Sequence, residues 1–298
     1  MMMDSKDTFC AFGDSITAGG LWVAEVFENL APRGIKVYNC GVAGDTAYDS
    51  LRRIEQDCLC HLPSVVTVMF GINDMEHWIK PDELKPDYTD FLYQRYDENL
   101  EKVITVFQEH QVRVIVMSPP PYVEGDCFAT LDFKCNQRVK HCAEFAKIAA
   151  QKHGCEFIDI NGIFRQIPNM IDYFSEDRVH PNEKGQRIIA KTVMRQLGFD
   201  YKSDCEEPFD FSPLNRERMK ADALYKDIMY AKHDLLGKHC DRMGVSMTED
   251  EAFAFVKQIA DRSGSFAASC SKAYCGNIDR LDEIKEEIEK LTEKMVTR

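Results

Sequence analysis

The chain has 298 residues, of which 44% are hydrophobic and 29% charged, a balance that suits a folded protein with a sizeable core and excludes a disordered or fibrous one. The formal net charge is -13, so the surface repels phosphate backbones and anionic lipid heads, and nucleic-acid and membrane-surface partners are disfavoured. No uninterrupted apolar stretch reaches membrane-spanning length. The polar start and the short apolar run Thr8–Phe12 do not make a signal-peptide core, so a cytoplasmic protein that begins near residue 1 and inserts in no membrane is expected.

The first β-rich run is Thr8–Phe12, followed by a helical period over Ser15–Leu30. A second strand is predicted at Ile35–Cys40, a helix at Thr46–Leu59 and a third strand at Ser64–Phe70. Next comes the clearest helix, Tyr88–Gln111, in which Phe91, Leu92, Tyr96, Leu100, Val103, Ile104 and Phe107 form one apolar stripe. Val112–Ser118 and Cys155–Ile160 supply the fourth and fifth strands, and Asn136–His153 and Glu183–Leu197 two further helices. The third and fourth runs are almost continuously apolar, as strands covered on both faces are. Strand and helix alternating in this way predict a five-stranded parallel α/β sheet with right-handed crossovers.

The composition shifts near Gly198, which divides the chain into residues 1–198 and an all-α extension, residues 199–298. A polar linker, Asp200–Asp210, leads to Ser212-Pro213, an N-cap with proline at the first helical position. Thr248 and Glu251 form a capping box that opens Ala252–Ile259. Leu281, Ile284, Ile288, Leu291 and Met295 draw a short heptad seam on the last helix. Two heptads are too few to hold an isolated coiled coil, so this helix is expected to fold back on its own chain, with a homodimer through it as the alternative. The 12 cysteines, in a chain with no export signal, are expected to be reduced. Cys10, Cys40 and Cys155 sit in strand-like runs as small hydrophobes. Cys58-Leu59-Cys60-His61 lacks a second ligand cluster at finger or ribbon spacing, and no metal is expected.

The chemistry gathers just past the strands. Gly13-Asp14-Ser15 follows the first, Gly41-Val42-Ala43-Gly44-Asp45 the second, and Gly71-Ile72-Asn73-Asp74 the third. Asp177-Arg178-Val179-His180-Pro181 ends a loop after the fifth. In a parallel sheet these ends share one edge, where ligands bind. Ser15 is a candidate nucleophile, which needs a base to take its proton. His180 can act as that base near neutral pH, and Asp177 can hold the other ring nitrogen. The Ser15 N–H, the Gly44 N–H and the Asn73 amide are candidate oxyanion donors, although Gly41 competes with Gly44 for that place. Asp74 is read as a brace for its loop.

Taken in order, Gly13-Asp14-Ser15, Gly44, Gly71-x-Asn73-Asp74 and Asp177-x-x-His180-Pro181 resemble the four sequence blocks of the SGNH (GDSL-like) hydrolases. The resemblance covers roughly residues 5–198, with Ile16 standing where the family's name-giving motif has leucine. It implies a flavodoxin-like three-layer αβα sandwich and a serine esterase working through an acyl-enzyme. In that enzyme Ser15 is the nucleophile, Asp177 and His180 are its triad partners, and Gly44 and Asn73 are oxyanion donors. No metal or organic cofactor is required by such chemistry. A small ester, such as an acetylated carbohydrate, is the expected substrate. The rivals are a lipid-directed acyl hydrolase (a lysophospholipase or thioesterase) and an interaction protein that uses its helical extension.

Overall fold

The computed structural model describes residues 3–76, 86–126, 130–131 and 133–201. Of the predicted extension, residues 199–298, all from residue 202 onward, with its capping box and heptad seam, lies outside the described residues.

The main sheet is built from β1 (Thr8–Gly13), β2 (Lys36–Gly41), β3 (Val65–Met69), β4 (Arg113–Met117) and, after a short antiparallel pair β5 (Gly125–Asp126) and β6 (Thr130–Leu131), β7 (Glu156–Ile158). Its strands are all parallel, in the order β2-β1-β3-β4-β7. Every residue of β1 and β3 is buried, whereas the edge strand β2 opens with exposed Lys36. This is why the central runs read as unbroken apolar stretches and β2 does not.

The chain leaves β1 in one direction to form β2 and returns past it to form β3. Right-handed crossovers then put the intervening helices on opposite faces. α1 (Ser15–Ala18) and α2 (Leu21–Leu30) join β1 to β2, and α3 (Ala47–Ser50) follows β2. α4 (Pro86–Glu109), α5 (Phe133–Lys152), α6 (Ile160–Arg165) and α7 (Glu183–Gln196) complete the layers, with α2 packed on α7 and α4 on α5. Phe12 of β1 meets Phe70 and Phe107 edge-on, with centroids 5.5 and 5.4 Å apart. No helix among the described residues is long and apolar enough to cross a membrane.

Two predicted helices are broken. Ser15–Leu30 splits at Gly19-Gly20, where Gly20 takes φ +81° and becomes the N-cap of α2. Thr46–Leu59 is helical only over α3, which Thr46 caps by accepting the Asp49 N–H at 3.0 Å. A π-helical turn, Ile54–Cys58, and a 3₁₀ turn, Leu59–His61, follow. Periodicity registers an apolar face and takes no account of what Arg53 must reach. Its side chain is fully buried and donates to the carbonyls of Gly13 and Cys40, at 3.0 and 2.7 Å, while pairing with Asp45 and Asp57. One guanidinium thereby ties together the C-terminal ends of β1 and β2.

Arg53→Met should destabilise the protein by about 3–5 kcal/mol, because it leaves two buried carboxylates without their cation. Urea unfolding at pH 7 measures this. A loss below about 1 kcal/mol would mean that the pairing energy only balances the cost of burial.

Candidate active site

Asp14, Ser15 and the start of α1 lie directly beyond β1. The Asp14 carboxylate accepts the Ile16 N–H at 2.9 Å, which starts the helical turn and leaves Ser15 partly exposed at its first position. The Ser15 hydroxyl lies 2.7 Å from Nε2 of His180, across 165 positions of chain.

The position of His180 is set locally by Asp177. Oδ1 of Asp177 accepts the backbone N–H groups of Val179 and His180, both at 2.9 Å, closing a tight turn that Arg178 completes at φ +61°. Oδ2 is then left 2.6 Å from Nδ1 of the His180 ring. The three-residue spacing is therefore what one carboxylate needs to cap its own turn and still hold the imidazole. The Ser175 N–H donates to the His180 carbonyl at 2.8 Å, and the Val123 N–H to that of Arg178 at 3.0 Å, fastening the loop to the domain. With Nδ1–H on Asp177, neutral His180 presents Nε2 as an acceptor to the serine O–H.

Burial alone would lower the His180 pKa, but the hydrogen bond His180 donates to Asp177 and the negative charges of Asp177 and Asp14 outweigh it, so the net shift is upward from 6.5. Asp177 moves the other way. Burial would raise its pKa, and the His180 bond, the His180 charge and the two backbone N–H groups bring it below the usual value. A base must be unprotonated to accept the serine proton, so activity should fall as pH drops through the raised His180 pKa. The acid limb of kcat/KM is expected above pH 6.5. A profile flat down to pH 5 would remove His180 from the role of base.

The loops after β1, β2 and β3 are neighbours because those strands are adjacent in the sheet. Gly44 adopts φ +77°, a left-handed turn that favours glycine. Gly41 serves a different need, since a Cβ there would come within 2.3 Å of the Ala18 nitrogen, and its bare backbone lets β2 end against α1. Asn73 is buried, and its Nδ2 donates to the Asp45 carbonyl at 2.9 Å. An amide nitrogen carries two hydrogens, so a second remains to donate. Asp74 is fully buried and accepts the Ala47 N–H at 2.9 Å, which braces the β2 loop against the β3 loop. Burial pushes the carboxyl groups of both Asp14 and Asp74 up to about 7.

The sequence reading missed the Asp45–Arg53–Asp57 group and the closeness of Asp14 to His180. An Arg and an Asp four residues apart, at 53 and 57, were the visible signal for the first. No pattern in the chain pointed to the second. Gln186 of α7 was also missed; it accepts from the Trp22 N–H at 3.4 Å and donates to the Pro181 carbonyl at 3.3 Å, tying the His180 loop to α2.

Arranged in this way, a hydroxyl, an imidazole and a carboxylate in series can take a proton from the hydroxyl and stabilise the imidazolium that results. Residues 11–188 match the GDSL-like lipase/acylhydrolase family. An acetylxylan esterase of Geobacillus stearothermophilus is 25% identical over 201 residues, 66% of this chain and 87% of that protein. The uncharacterized lipoprotein YqeF of Bacillus subtilis is 33% identical over 126 residues, 39% of this chain and 49% of its own length. The solved lipase/acylhydrolase from Enterococcus faecalis superposes with a TM-score of 0.54 at 25% identity, over 66% of this chain and 99% of that one.

Proposed function

Because the chain belongs to the GDSL-like lipase/acylhydrolase family and is a serine ester hydrolase, we propose that it removes small acyl groups, acetyl foremost, from carbohydrate hydroxyls, with Ser15 as nucleophile. The observation that carries the assignment of Ser15 is the hydrogen-bonded series Ser15–His180–Asp177 at the C-terminal edge of the sheet. The similarity to an acetylxylan esterase supports the acetyl-carbohydrate class.

In the proposed reaction, His180 takes the Ser15 proton as Oγ attacks the ester carbonyl. The oxyanion is held by the backbone N–H groups of Ser15 and Gly44 and by the Asn73 amide. His180 then gives the proton to the leaving alcohol. Water enters, loses a proton to His180 and releases the acid, restoring Ser15. Asp177 holds the imidazole in one tautomer throughout and balances its charge.

A panel of p-nitrophenyl esters from acetate upward, run beside acetylated xylo-oligosaccharides and a lysophospholipid, tests the substrate class. Acetate and acetylated sugars should be cleaved best. Preference for the lysophospholipid or for long acyl chains would overturn the reading in favour of a lipid-directed hydrolase.

Asn73→Ala should lower kcat by roughly 10²–10³ with KM little changed, because an oxyanion donor acts mainly as charge develops. Steady-state kinetics on p-nitrophenyl acetate decide this. A raised KM at normal kcat would mean that Asn73 only holds substrate.

The proposed catalytic unit is residues 1–198, with residues 199–298 as a separate helical extension. Phe199 and Tyr201 pack against the core of the first, so a stable truncation would end after Tyr201. The last helix is proposed to fold back on its own chain, with a homodimer through the Leu281–Met295 seam as the alternative, and light scattering of full-length and truncated chains reads which one forms. A cytoplasmic location is proposed because Cys10, Cys40, Cys58, Cys135 and Cys142 pack in the core as small hydrophobes, a use of cysteine that suits a reducing compartment. Recovery of the protein at the cell surface, in keeping with its similarity to a lipoprotein, would overturn it.

A further inference from the structure

A second cluster of reactive groups lies among β1, β2 and the π-helical turn, and the esterase chemistry makes no use of it. Cys10 of β1, Cys40 of β2 and Cys58 of the turn have their Sγ atoms within 4.8 Å of one another. All three are buried, at 0, 3 and 0% exposure, and none is in a disulfide. In the parallel register Cys10 lies opposite Tyr38 and Cys40 opposite Phe12, so the two thiols are diagonal neighbours on one face of the sheet. The turn brings Cys58 over them. Three sulfurs bonded to one ion at about 2.3 Å stand about 4 Å apart, so small side-chain rotations would close this cluster on an ion.

Charge decides which ion. All three sulfurs lie in an apolar interior, where unpaired negative charge is costly. Nearby, the Arg53 guanidinium faces two carboxylates, Asp45 and Asp57, a group already carrying one net negative charge. A monovalent ion on three thiolates would add two buried negative charges and a divalent ion one, whereas a trivalent ion adds none. Zinc also calls for a fourth ligand, and the cluster found among the described residues has three.

We propose that Cys10, Cys40 and Cys58 form a binding site for a trivalent thiophilic ion, arsenic(III) being the type. Arsenous acid, As(OH)₃, reacts with three thiols to give As(SR)₃ and three waters. Three S–H and three As–O bonds break, three As–S and three O–H bonds form, and no atom changes oxidation state. The reactant and the product are both uncharged, which suits an apolar interior. Exposed Cys60 stands two residues past Cys58, so the chain passes from the cluster to the surface within that span. The π turn and the 3₁₀ turn that follow it are short irregular helices, the kind of segment that opens before the sheet does.

The test incubates the reduced full-length chain with sodium arsenite and reads intact mass together with arsenic X-ray absorption. The expected result is a tightly held arsenic with three sulfur neighbours and no oxygen, resistant to dilution. Cys10→Ala, Cys40→Ala and Cys58→Ala, each checked for circular dichroism and p-nitrophenyl acetate hydrolysis, should each lose the three-sulfur species, and Cys60→Ala should keep it. If one variant fails to fold, the other two still decide. Three-sulfur arsenic persisting in two folded variants would assign it to other cysteines and overturn the proposal. So would a wild-type chain that takes up no arsenite, or one that binds Zn²⁺ or Cu⁺ through these three residues and arsenite not at all.

Discussion

Ser15→Ala is expected to lower kcat by about 10⁵–10⁶ while leaving the fold intact. The loss is this large because Oγ is the atom that would form the acyl bond, and no neighbouring group can replace it. The fold survives because the hydroxyl is partly exposed and is bonded to His180, whose own side chain is 35% exposed and can turn to water. The Asp14 cap that starts α1 is untouched by the change. Residual activity would come from the oxyanion donors and substrate binding alone. A fluorophosphonate probe should label the wild-type chain at Ser15 and leave the variant unlabelled. Near-normal turnover in the variant, with labelling elsewhere, would end the assignment of Ser15 as nucleophile.

The second large effect is expected from Asp177→Asn, a loss of roughly 10⁴ in kcat. The asparagine oxygen would keep the turn by accepting from Val179 and His180, as Oδ1 does now. The amide nitrogen would then face Nδ1, where Oδ2 stands at 2.6 Å. An amide N–H donates, so Nδ1 must become the acceptor and the ring proton moves to Nε2. In that tautomer His180 offers Ser15 a donor where an acceptor is required. Removing the carboxylate also removes the main influence that raises the His180 pKa, so the remaining activity should show its acid limb at lower pH than wild type. Kinetics across pH 5–9 read both effects. A variant with small loss and an unmoved acid limb would show that Asp177 does not set the ring's tautomer.

Much of the fold was legible in the chain because burial on both faces leaves a direct record. Val65–Met69 and the Val114–Met117 part of β4 are largely apolar runs, and α4 carries its stripe at helical period. The strand-end segments were legible for a related reason, since in a parallel sheet a short polar or glycine-rich break after an apolar run falls on the ligand-binding edge. The Asp177–His180 spacing was readable as well, because one short turn determines it.

Other features depend on atoms far apart in sequence. The split of Ser15–Leu30 could be suspected from Gly19-Gly20, but the collapse of Thr46–Leu59 into α3, a π turn and a 3₁₀ turn could not. There the backbone follows Arg53 to the carbonyls of Gly13 and Cys40, an ion pair and hydrogen-bond set with no sequence period. The same holds for the three thiols at 10, 40 and 58, which sequence spacing treats as unrelated small hydrophobes and which the β1–β2 register, with the turn that carries Cys58, brings within 4.8 Å of one another. It holds also for Asp14, whose charge reaches His180 only after a parallel sheet has aligned β1 with the loop after β7. By itself the sequence determined which segments build the five-stranded sheet, which edge carries the chemistry and which residue types stand there, because hydrophobic burial and tight turns are local or periodic. The Ser15–His180 distance, and what burial and Asp14 do to the His180 pKa, were decided by tertiary structure, because electrostatic and hydrogen-bond energies between groups far apart in the chain depend on separations of a few ångströms that no spacing along it encodes.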